Sequence, residues 1–274
     1  MSGPTPVGAD LHLADIDPSS TPGITKGRHE AARKRAYHGA ELADLQERLY
    51  AAGMEGGKRS LLLVLQAMDT AGKGGIVRHV VGNMDPQGVH LHAFKAPTDE
   101  EQAHDFLWRI RAQLPAPGMV GVFDRSHYED VLIARVHGLV PSEVIEQRYG
   151  QIAAFERELV ASGTTIVKVM LHLSRDEQKD RLARRLDRRD KQWKYNPTDV
   201  DERARWDEYM AAYERAIRRT TEPSAPWFVV PADHKWYSRW AVQTIVIDAL
   251  RGIDPQWPKV GYDIEEQKAR LAAT

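Results

Sequence analysis

The sequence contains no cysteine among its 274 residues. This absence excludes disulfide bonds and thiolate metal sites, and it agrees with the reducing cytoplasm, where we expect the protein to reside. No apolar run reaches the roughly 18–20 residues of a membrane span, and the first residues lack the apolar core of a signal peptide. Net charge is also nearly absent, because 38 Lys and Arg residues balance 39 Asp and Glu residues. We therefore expect neither a membrane nor a nucleic acid as partner.

Large apolar side chains are scarce in the first 24 residues, which carry prolines at positions 4, 6, 18 and 22. Such a segment has little apolar surface to bury, so residues 1–24 are expected to form a flexible or loosely docked arm. Residues 25–274 contain no repeat and no segment with the composition of a linker. They are expected to form a single domain.

Five short apolar segments alternate with segments of helical periodicity. The apolar segments are LLLVL, GVHLHAFK, GMVGVF, TTIVKVMLHL and PWFVVP. Helices are predicted at about residues 30–52, 101–114, 142–161, 201–220 and 235–250. Strands that alternate with helices predict right-handed βαβ units and a parallel sheet. The predicted fold class is therefore α/β.

The first apolar segment leads into a glycine-rich turn, QAMDTAGKGG. A phosphate-binding loop has the pattern G-x-x-x-x-G-K-[ST] between a strand and a helix, and its backbone amides and lysine bind phosphate oxygens. In that register, residues 67–74 form the candidate phosphate loop, in which Ala67 replaces the first glycine and Gly74 replaces the metal-binding Ser or Thr. The alternative is a turn that binds nothing, but Lys73 and the strand–helix context favour phosphate. The glycines expected to present amides are Gly72, Gly74 and Gly75.

Two carboxylates are candidates to replace the missing hydroxyl as metal ligands. Asp69 lies inside the phosphate loop, and Asp124 follows the apolar segment GMVGVF, where it resembles a Walker B aspartate. Ligands bind beyond the carboxyl ends of parallel strands, so both should lie at one edge of the sheet, where the pair suits Mg²⁺. Arg125 comes next and is placed to stabilise a transferring phosphoryl group. Taken alone, Asp124 would equally suit a helix N-cap, and Arg125 a surface position.

Positive charge is concentrated in residues 175–194, where nine Lys and Arg residues exceed five Asp and Glu residues by four. One face of the predicted helix carries Arg181, Arg184, Arg185 and Arg188. The ordinary interpretation is a solvated helix face, and the functional one is a row of cations for a polyanion. Asn196 and Pro197 interrupt the helical pattern, which predicts a mobile lid at about residues 184–207. The cations predicted to bind phosphate are Arg78, Lys95, Arg185, Arg188 and Arg189.

The stretches QAMDTAGKGG and FDRSHYEDVL resemble the polyphosphate kinase 2 family, which transfers phosphoryl groups between inorganic polyphosphate and nucleotides. FKAPTDEE, DFLWRI and two segments at 171–188 and 190–217 match as well, so the resemblance covers about residues 24–253. It implies a P-loop kinase-like fold, with a three-layer α/β/α arrangement, a central parallel sheet and a helical lid. It also implies Mg²⁺ as cofactor and a homo-oligomer, either a dimer or a tetramer. Gly74 is the residue of the family itself, whereas Ala67 stands where many members have glycine.

The resemblance further implies an activity and a set of site residues. The reaction is Mg²⁺-dependent, reversible transfer from polyphosphate to AMP, ADP or both, with guanine nucleotides as further candidates; RSHYEDVLIARVHGLV most resembles the subgroup that uses both AMP and ADP. The predicted catalytic residues are Asp69, Lys73, Asp124 and Arg125, with the two aspartates as metal ligands. Candidates on the nucleotide side are Ser126, Tyr128, Glu129, Asp130 and Arg135. Two alternatives stay open: an ATP-dependent kinase of a small metabolite, and a polyanion-binding module without turnover.

Overall fold

The five apolar segments form one sheet in the computed structural model, which describes residues 4–274. The strands are β1 (Ser60–Gln66), β2 (Val89–Ala93), β3 (Val120–Asp124), β4 (Thr164–His172) and β5 (Trp227–Pro231). Their order is β2-β3-β1-β4-β5, and every neighbouring pair is parallel, which confirms the predicted parallel sheet. The central strand β1 is buried along its whole length. A strand that is covered on both faces needs apolar residues at every position, rather than alternating apolar and polar ones. This explains the continuous apolar sequence of β1.

Helices cover both faces of the sheet. In chain order they are α1 (Gly27–Tyr37), α2 (Gly39–Met54), α3 (Lys73–His79), α4 (Asp99–Gln102), α5 (Trp108–Arg111), α6 (Ile133–Val136), α7 (Ser142–Ala161), α8 (Arg175–Asp187), α9 (Arg189–Gln192), α10 (Thr198–Ala204), α11 (Trp206–Thr220), α12 (Lys235–Ile253) and α13 (Ile264–Ala272). Short 3-10 turns lie at Leu13–Asp15, Val81–Asn83, Pro86–Gly88 and His127–Asp130. Among residues 4–274, no helix combines the length and the apolar character needed to cross a membrane.

Successive residues of β1 contribute to two separate hydrophobic cores. Leu62 and Val64 pack in a cluster with apolar residues of α7 and α11. Leu61 and Leu63 pack in a second cluster with apolar residues of α2 and α12. Because side chains alternate across a strand, one apolar segment holds both helical layers against the sheet. The result is the predicted three-layer α/β/α arrangement.

Several predicted helices are shorter than their patterns suggested. The predicted helix at 142–161 is confirmed at both ends, but the one at 101–114 is wrong, because two four-residue helices, α4 and α5, replace it. Between them Asp105 accepts a hydrogen bond from the backbone N–H of Leu107 at 2.9 Å, so the chain turns and starts again. The predicted helix at 30–52 is likewise divided into α1 and α2.

The described part of the N-terminal segment, for which a flexible or loosely docked arm is expected, packs on the domain. Leu13 is buried, and its N–H donates to a carboxylate oxygen of Glu214 at 2.9 Å. The N–H of Val7 donates to the carbonyl of Trp227 in β5 at 2.9 Å. Leu11 and Leu13 are buried in the hydrophobic core that contains α7 and α11, and the backbone hydrogen bonds add to this apolar contact.

Candidate active site

The phosphate loop connects β1 to α3 at the carboxyl edge of the sheet. Gly72 has a φ of 122°. Residues with a side chain rarely adopt such a positive φ, and this explains why glycine occupies the position. Ala67 is not among the described residues with positive φ, so alanine fits where the general loop pattern has glycine. Lys73 is buried, and its Nζ donates to the carbonyl of Ala67 at 3.2 Å. The lysine is thereby held across the loop.

The pairing of β1 with β3 brings the two candidate metal ligands to the same edge. Asp124 is in register with Leu65 of β1, and Asp69 lies four residues beyond Leu65. The Asp124 carboxylate is 3.9 Å from Nζ of Lys73, and the Asp69 carboxylate is 3.3 Å from a guanidinium nitrogen of Arg125. The structure thus brings the four predicted catalytic side chains together, two cations alternating with two carboxylates.

Arg125 adopts an unusual backbone conformation. Its φ is 64°, in the left-handed region, and its N–H donates to the carbonyl of Leu65 at 3.0 Å, so it continues the strand pairing. Burial lowers the pKa of Arg125, but the nearby carboxylates of Glu129 and Asp69 outweigh burial and raise the pKa above its ordinary value. The guanidinium is therefore a permanent positive charge next to the phosphate loop.

The carboxylates fit a magnesium ion that is bound together with its substrate. Within residues 4–274, no three Asp, Glu or His side chains are grouped closely enough to form a metal site by themselves. Mg²⁺ is usually held by one or two carboxylates together with phosphate oxygens and waters, rather than by a complete protein cage. Asp69 and Asp124 provide that number of carboxylates, at the edge where the phosphate loop lies.

A cavity of about 760 Å³ opens at this edge of the sheet, lined by the phosphate loop, α3, the α8–α9 region and the first two turns of α12. Its walls contain twelve Lys and Arg residues and two acidic residues, Asp69 and Asp124. The cations are Lys73, Arg78, Lys95, Arg125, Arg181, Arg184, Arg185, Arg188, Lys191, Lys194, Lys235 and Arg239. Such an excess of positive charge is suited to a ligand with many negative charges.

A family model described as "Polyphosphate kinase 2 (PPK2)" matches residues 25–258. The chain belongs to the polyphosphate kinase 2 family. The crystal structure of polyphosphate kinase 2 from Arthrobacter aurescens TC1 superposes with a TM-score of 0.96 at 56% identity, covering 98% of this chain and 95% of that one. The AMP/ADP-polyphosphate phosphotransferase of Meiothermus ruber is 44% identical over 249 residues, 91% of this chain and 92% of the relative. The ADP-polyphosphate phosphotransferase of Rhodopseudomonas palustris is 41% identical over 243 residues, 84% and 82% of the two chains.

In this family member, six of the twelve cavity cations were not among the predicted site residues, namely Arg181, Arg184, Lys191, Lys194, Lys235 and Arg239. Arg181 is buried and donates to the carbonyls of Thr70 and Ala71, at 3.0 and 2.8 Å, so it braces the phosphate loop. Lys235 and Arg239 lie in the first two turns of α12. A sequence signal for these two existed, because α12 follows β5 and therefore begins at the carboxyl edge, where ligands bind.

Of the cations predicted in the lid, Arg185 and Arg188 line the cavity and Arg189 does not. Arg185 donates to the carboxylate of Asp199 at 3.2 Å, and Arg188 is paired with Asp190 at 2.9 Å. Arg189 is exposed to solvent outside the cavity, which differs from the prediction. The helix ends between Asp187 and Arg189, so the helical face that groups the earlier arginines does not extend to it.

Two of the residues predicted on the nucleotide side, Ser126 and Tyr128, are fully buried. The hydroxyl of Ser126 accepts hydrogen bonds from the side-chain amide of Gln66 at 3.1 Å and from the N–H of Tyr128 at 3.2 Å. The prediction for these two residues therefore differs from the structure, which gives them internal partners. Neighbours in a motif point in different directions, and a single sequence does not reveal which ones face the ligand.

Asp130 and Arg135 are also engaged away from the cavity, in ion pairs with Arg109 at 3.3 Å and with Glu146 at 3.1 Å. Glu129 is partly buried as they are, but it lies beside Arg125 and close to the charge of Lys73. Burial raises the pKa of Glu129, and the positive charge of Arg125 opposes that increase. Of the five nucleotide-side candidates, Glu129 is the one that the structure places next to the catalytic cluster.

Lys235 predicts a pH dependence of polyanion binding. Burial, together with the positive charges of Arg181 and Arg184, lowers the pKa of Lys235 to about 8. A bound polyanion favours the protonated lysine, so binding takes up a proton when the pH exceeds about 8, and the affinity falls as the pH rises further. We expect the dissociation constant for polyphosphate to increase roughly fivefold to tenfold between pH 7 and 9.5.

The measurement is a titration of the protein with polyphosphate at several pH values, with Lys235→Arg as the matched control. Arginine stays charged throughout this range, so Lys235→Arg should remove most of the pH dependence while the ionisation of the ligand is unchanged. Identical pH profiles in the parent and Lys235→Arg would show that Lys235 does not contact the polyanion.

Proposed function

We propose that the chain transfers phosphoryl groups from inorganic polyphosphate to AMP and ADP, reversibly and with Mg²⁺. The observation that carries this proposal is the cavity beside the phosphate loop, in which twelve cationic residues accompany two acidic ones. A single nucleotide would neutralise only part of this charge, whereas a phosphate chain places negative charge along the whole cavity. The names of the relatives from Meiothermus ruber and Rhodopseudomonas palustris support AMP and ADP as acceptors.

The reaction requires positioning and electrostatic stabilisation, and no covalent enzyme intermediate. A terminal phosphate oxygen of the nucleotide attacks the terminal phosphorus of the chain. A new P–O bond forms, the bond to the bridging oxygen breaks, and the chain leaves one phosphate shorter with the electron pair on that oxygen. Lys73 and the amides of the phosphate loop hold the chain end, and Arg125 offsets the charge that develops on the transferred group.

Asp69 and Asp124 are the residues that would hold Mg²⁺. When bound, the ion would neutralise phosphate oxygens that both carboxylates would otherwise repel. Asp124 lies at the end of β3 and is also placed to orient the attacking phosphate oxygen. Glu129 is the remaining candidate for a contact on the nucleotide side. We include in the proposal a cytoplasmic location and a dimer or tetramer, in keeping with the resemblance.

We further propose that residues 184–207 act as a lid over the cavity. This segment contains the end of α8, the short helix α9 and the helix α10, separated by non-helical residues. Arg185 of α8 is paired with Asp199 of α10, and it also donates to the backbone carbonyl of Lys194. Such contacts within the segment would let it move as a unit while carrying its cations toward the phosphate chain.

The activity is tested with purified protein, Mg²⁺ and long-chain polyphosphate, offered AMP, ADP, GMP and GDP in separate reactions. We expect ADP and ATP to form from AMP, and ATP from ADP, with no ATP added, as measured by chromatography. Omission of Mg²⁺ should abolish the products. Turnover that required ATP and a small metabolite, and never polyphosphate, would overturn the proposal.

The cavity cations are expected to set the affinity for polyphosphate. Arg188→Ala combined with Lys191→Ala should raise KM for long-chain polyphosphate about tenfold and leave KM for ADP within about twofold, because only the chain spans these residues. Added salt should weaken binding in the parent more than in the variant. Arg157→Ala is the matched surface control, because Arg157 is exposed, pairs with Glu222 and lies outside the cavity.

A substitution of the adjacent Arg189 distinguishes binding in the cavity from attraction by the overall charge of the segment. Arg189→Ala removes the same charge from the same segment, but outside the cavity, so it should change KM for polyphosphate less than Arg188→Ala does. Equal effects of the two substitutions would indicate attraction by the net charge of the segment rather than a binding track.

A further inference from the structure

A charged pair lies in the centre of the hydrophobic core below the site. Lys168 of β4 has no exposed surface, and Glu156 of α7 is 2% exposed. Nζ of Lys168 donates to Glu156 at 2.5 Å and to the carbonyl of Thr220 at 2.8 Å. Burial raises the pKa of Glu156, but the charge of Lys168 and the contact with His127 outweigh burial and hold the pKa below its ordinary value. Apolar residues would fill this space at lower desolvation cost, so the pair calls for an explanation other than stability.

The pair is bonded to the turn that carries Arg125. The Tyr128 hydroxyl lies 2.8 Å from a carboxylate oxygen of Glu156 and 3.1 Å from Nζ of Lys168, and Nε2 of His127 lies 3.3 Å from Glu156. We define the Lys168 cluster as His127, Tyr128, Glu156, Lys168 and Thr220, and the Arg125 turn as residues 124–130. His127 and Tyr128 belong to both, and every polar contact of the Tyr128 hydroxyl is with the cluster.

The Arg125 turn requires such support because its backbone is strained. Arg125 is one of three described residues other than glycine with positive φ, the others being Thr70 and Asp254. A non-glycine residue keeps this conformation only when the surrounding structure fixes it. The pairing of Arg125 with Leu65 fixes the beginning of the turn, and the cluster fixes the residues that follow. Core residues from α7, β4 and the end of α11 are thus bonded to the turn that carries the Arg125 guanidinium.

We propose that the Lys168 cluster positions Arg125: it holds the turn so that the guanidinium faces Asp69 and the phosphoryl group. Tyr128, Glu156 and Lys168 are positioning residues, since the structure places none of them in the cavity. The inference rests on the proposed role of Arg125 in phosphoryl transfer. The proposed role explains why a charged pair, rather than apolar side chains, occupies this part of the core.

The first test measures the backbone of the turn without using activity. Tyr128→Phe deletes one hydroxyl, keeps the ring and should fold. Tyr149→Phe is the matched control, because Tyr149 is also fully buried, in the same hydrophobic core, and its hydroxyl has no partner among the described residues. By hydrogen exchange, we expect faster exchange of amides in residues 125–130 in Tyr128→Phe than in Tyr149→Phe. Equal exchange in both variants would overturn the proposal.

The second test asks whether the cluster acts through Arg125. Tyr128→Phe and, as a stronger change, Lys168→Met are made with Arg125 present and in the Arg125→Ala background. With Arg125 present, we expect either change to reduce kcat about tenfold and to leave KM for polyphosphate nearly unchanged. In the Arg125→Ala background, the same change should reduce kcat by less than about twofold. Tyr149→Phe should leave kcat unchanged. If Lys168→Met does not fold, Tyr128→Phe alone decides the outcome.

The possible failures can be told apart. If Arg125→Ala has parental activity, the proposed role of Arg125 fails, and the exchange measurement still decides whether the cluster holds the turn. A second failure is that Arg125→Ala is impaired but the cluster variants reduce kcat by equal factors in both backgrounds. In that case the cluster has only a structural role, and the inference is wrong.

Discussion

Replacing Asp124 by Asn is expected to reduce turnover at least about a hundredfold while leaving the fold intact. The amide has the shape of the carboxylate but no negative charge, so it binds Mg²⁺ poorly and leaves Lys73 without its neighbouring anion at 3.9 Å. The side chain is 28% exposed, so the substitution buries no new polar group without access to water. The measurements are kcat at saturating Mg²⁺, the Mg²⁺ concentration that gives half-maximal rate, and a thermal melt.

The matched control for this substitution is Asp248→Asn, which makes the same chemical change at an exposed carboxylate of α12 paired with Arg251. It should retain parental turnover. Asp69→Asn should also be severely impaired, and it additionally weakens the contact with Arg125 at 3.3 Å. Near-parental activity of Asp124→Asn would show that Asp124 does not hold the metal, and the same result for Asp69→Asn would exclude Asp69.

The location of the site at the carboxyl edge of the sheet was predictable from the apolar pattern of the strands and from their parallel arrangement. Apolar runs separated by helical patterns predict parallel strands, and parallel strands place their carboxyl ends at one edge. Asp69 and Asp124 therefore converge in the structure although 55 positions separate them in the sequence. No long-range information was needed beyond the rule that the strands are parallel and adjacent.

The orientation of side chains within a motif was not predictable in the same way. In FDRSHYED, Arg125 faces the site, whereas Ser126 and Tyr128 point into the core. Arg125 has a positive φ, which interrupts the regular alternation of side chains at that point, and a local pattern of residue types does not reveal it. The cluster around Lys168 was equally hidden, since its members come from three separate elements, α7, β4 and α11, and from the turn.

Charge patterns predicted a region better than they predicted individual contacts. The helical face in α8 correctly grouped arginines that line the cavity, but the face did not show that Arg181 binds backbone carbonyls instead of solvent. Lys235 and Arg239 are 41 or more positions beyond Lys194, outside any local charge cluster. Only the return of the chain through β5 brings α12 to the same cavity. Topology, rather than local charge density, therefore defines the complete set of cations.

Replacing Lys73 by Met is expected to have an effect of the same order, a loss of about a hundredfold to a thousandfold in kcat. Methionine fills a similar volume but has no charge and no donor for the carbonyl of Ala67. Lys73 is held against the loop on one side and lies near Asp124 on the other, so in the proposed reaction its charge is next to the transferred phosphate. The measurements are kcat and KM for both substrates, with the thermal melt to confirm folding.

Lys235→Met provides the comparison that identifies what Lys73 does. Both substitutions remove one cavity cation, but Lys235 belongs to α12 and not to the phosphate loop, so its loss should raise KM for polyphosphate and change kcat little. Lys73→Met should instead reduce kcat even with saturating polyphosphate, because its charge is needed most when the phosphoryl group is in transit. If Lys73→Met only raised KM, like Lys235→Met, then Lys73 would be one more cation along the chain, and the catalytic charge would have to be assigned to Arg125 and the metal.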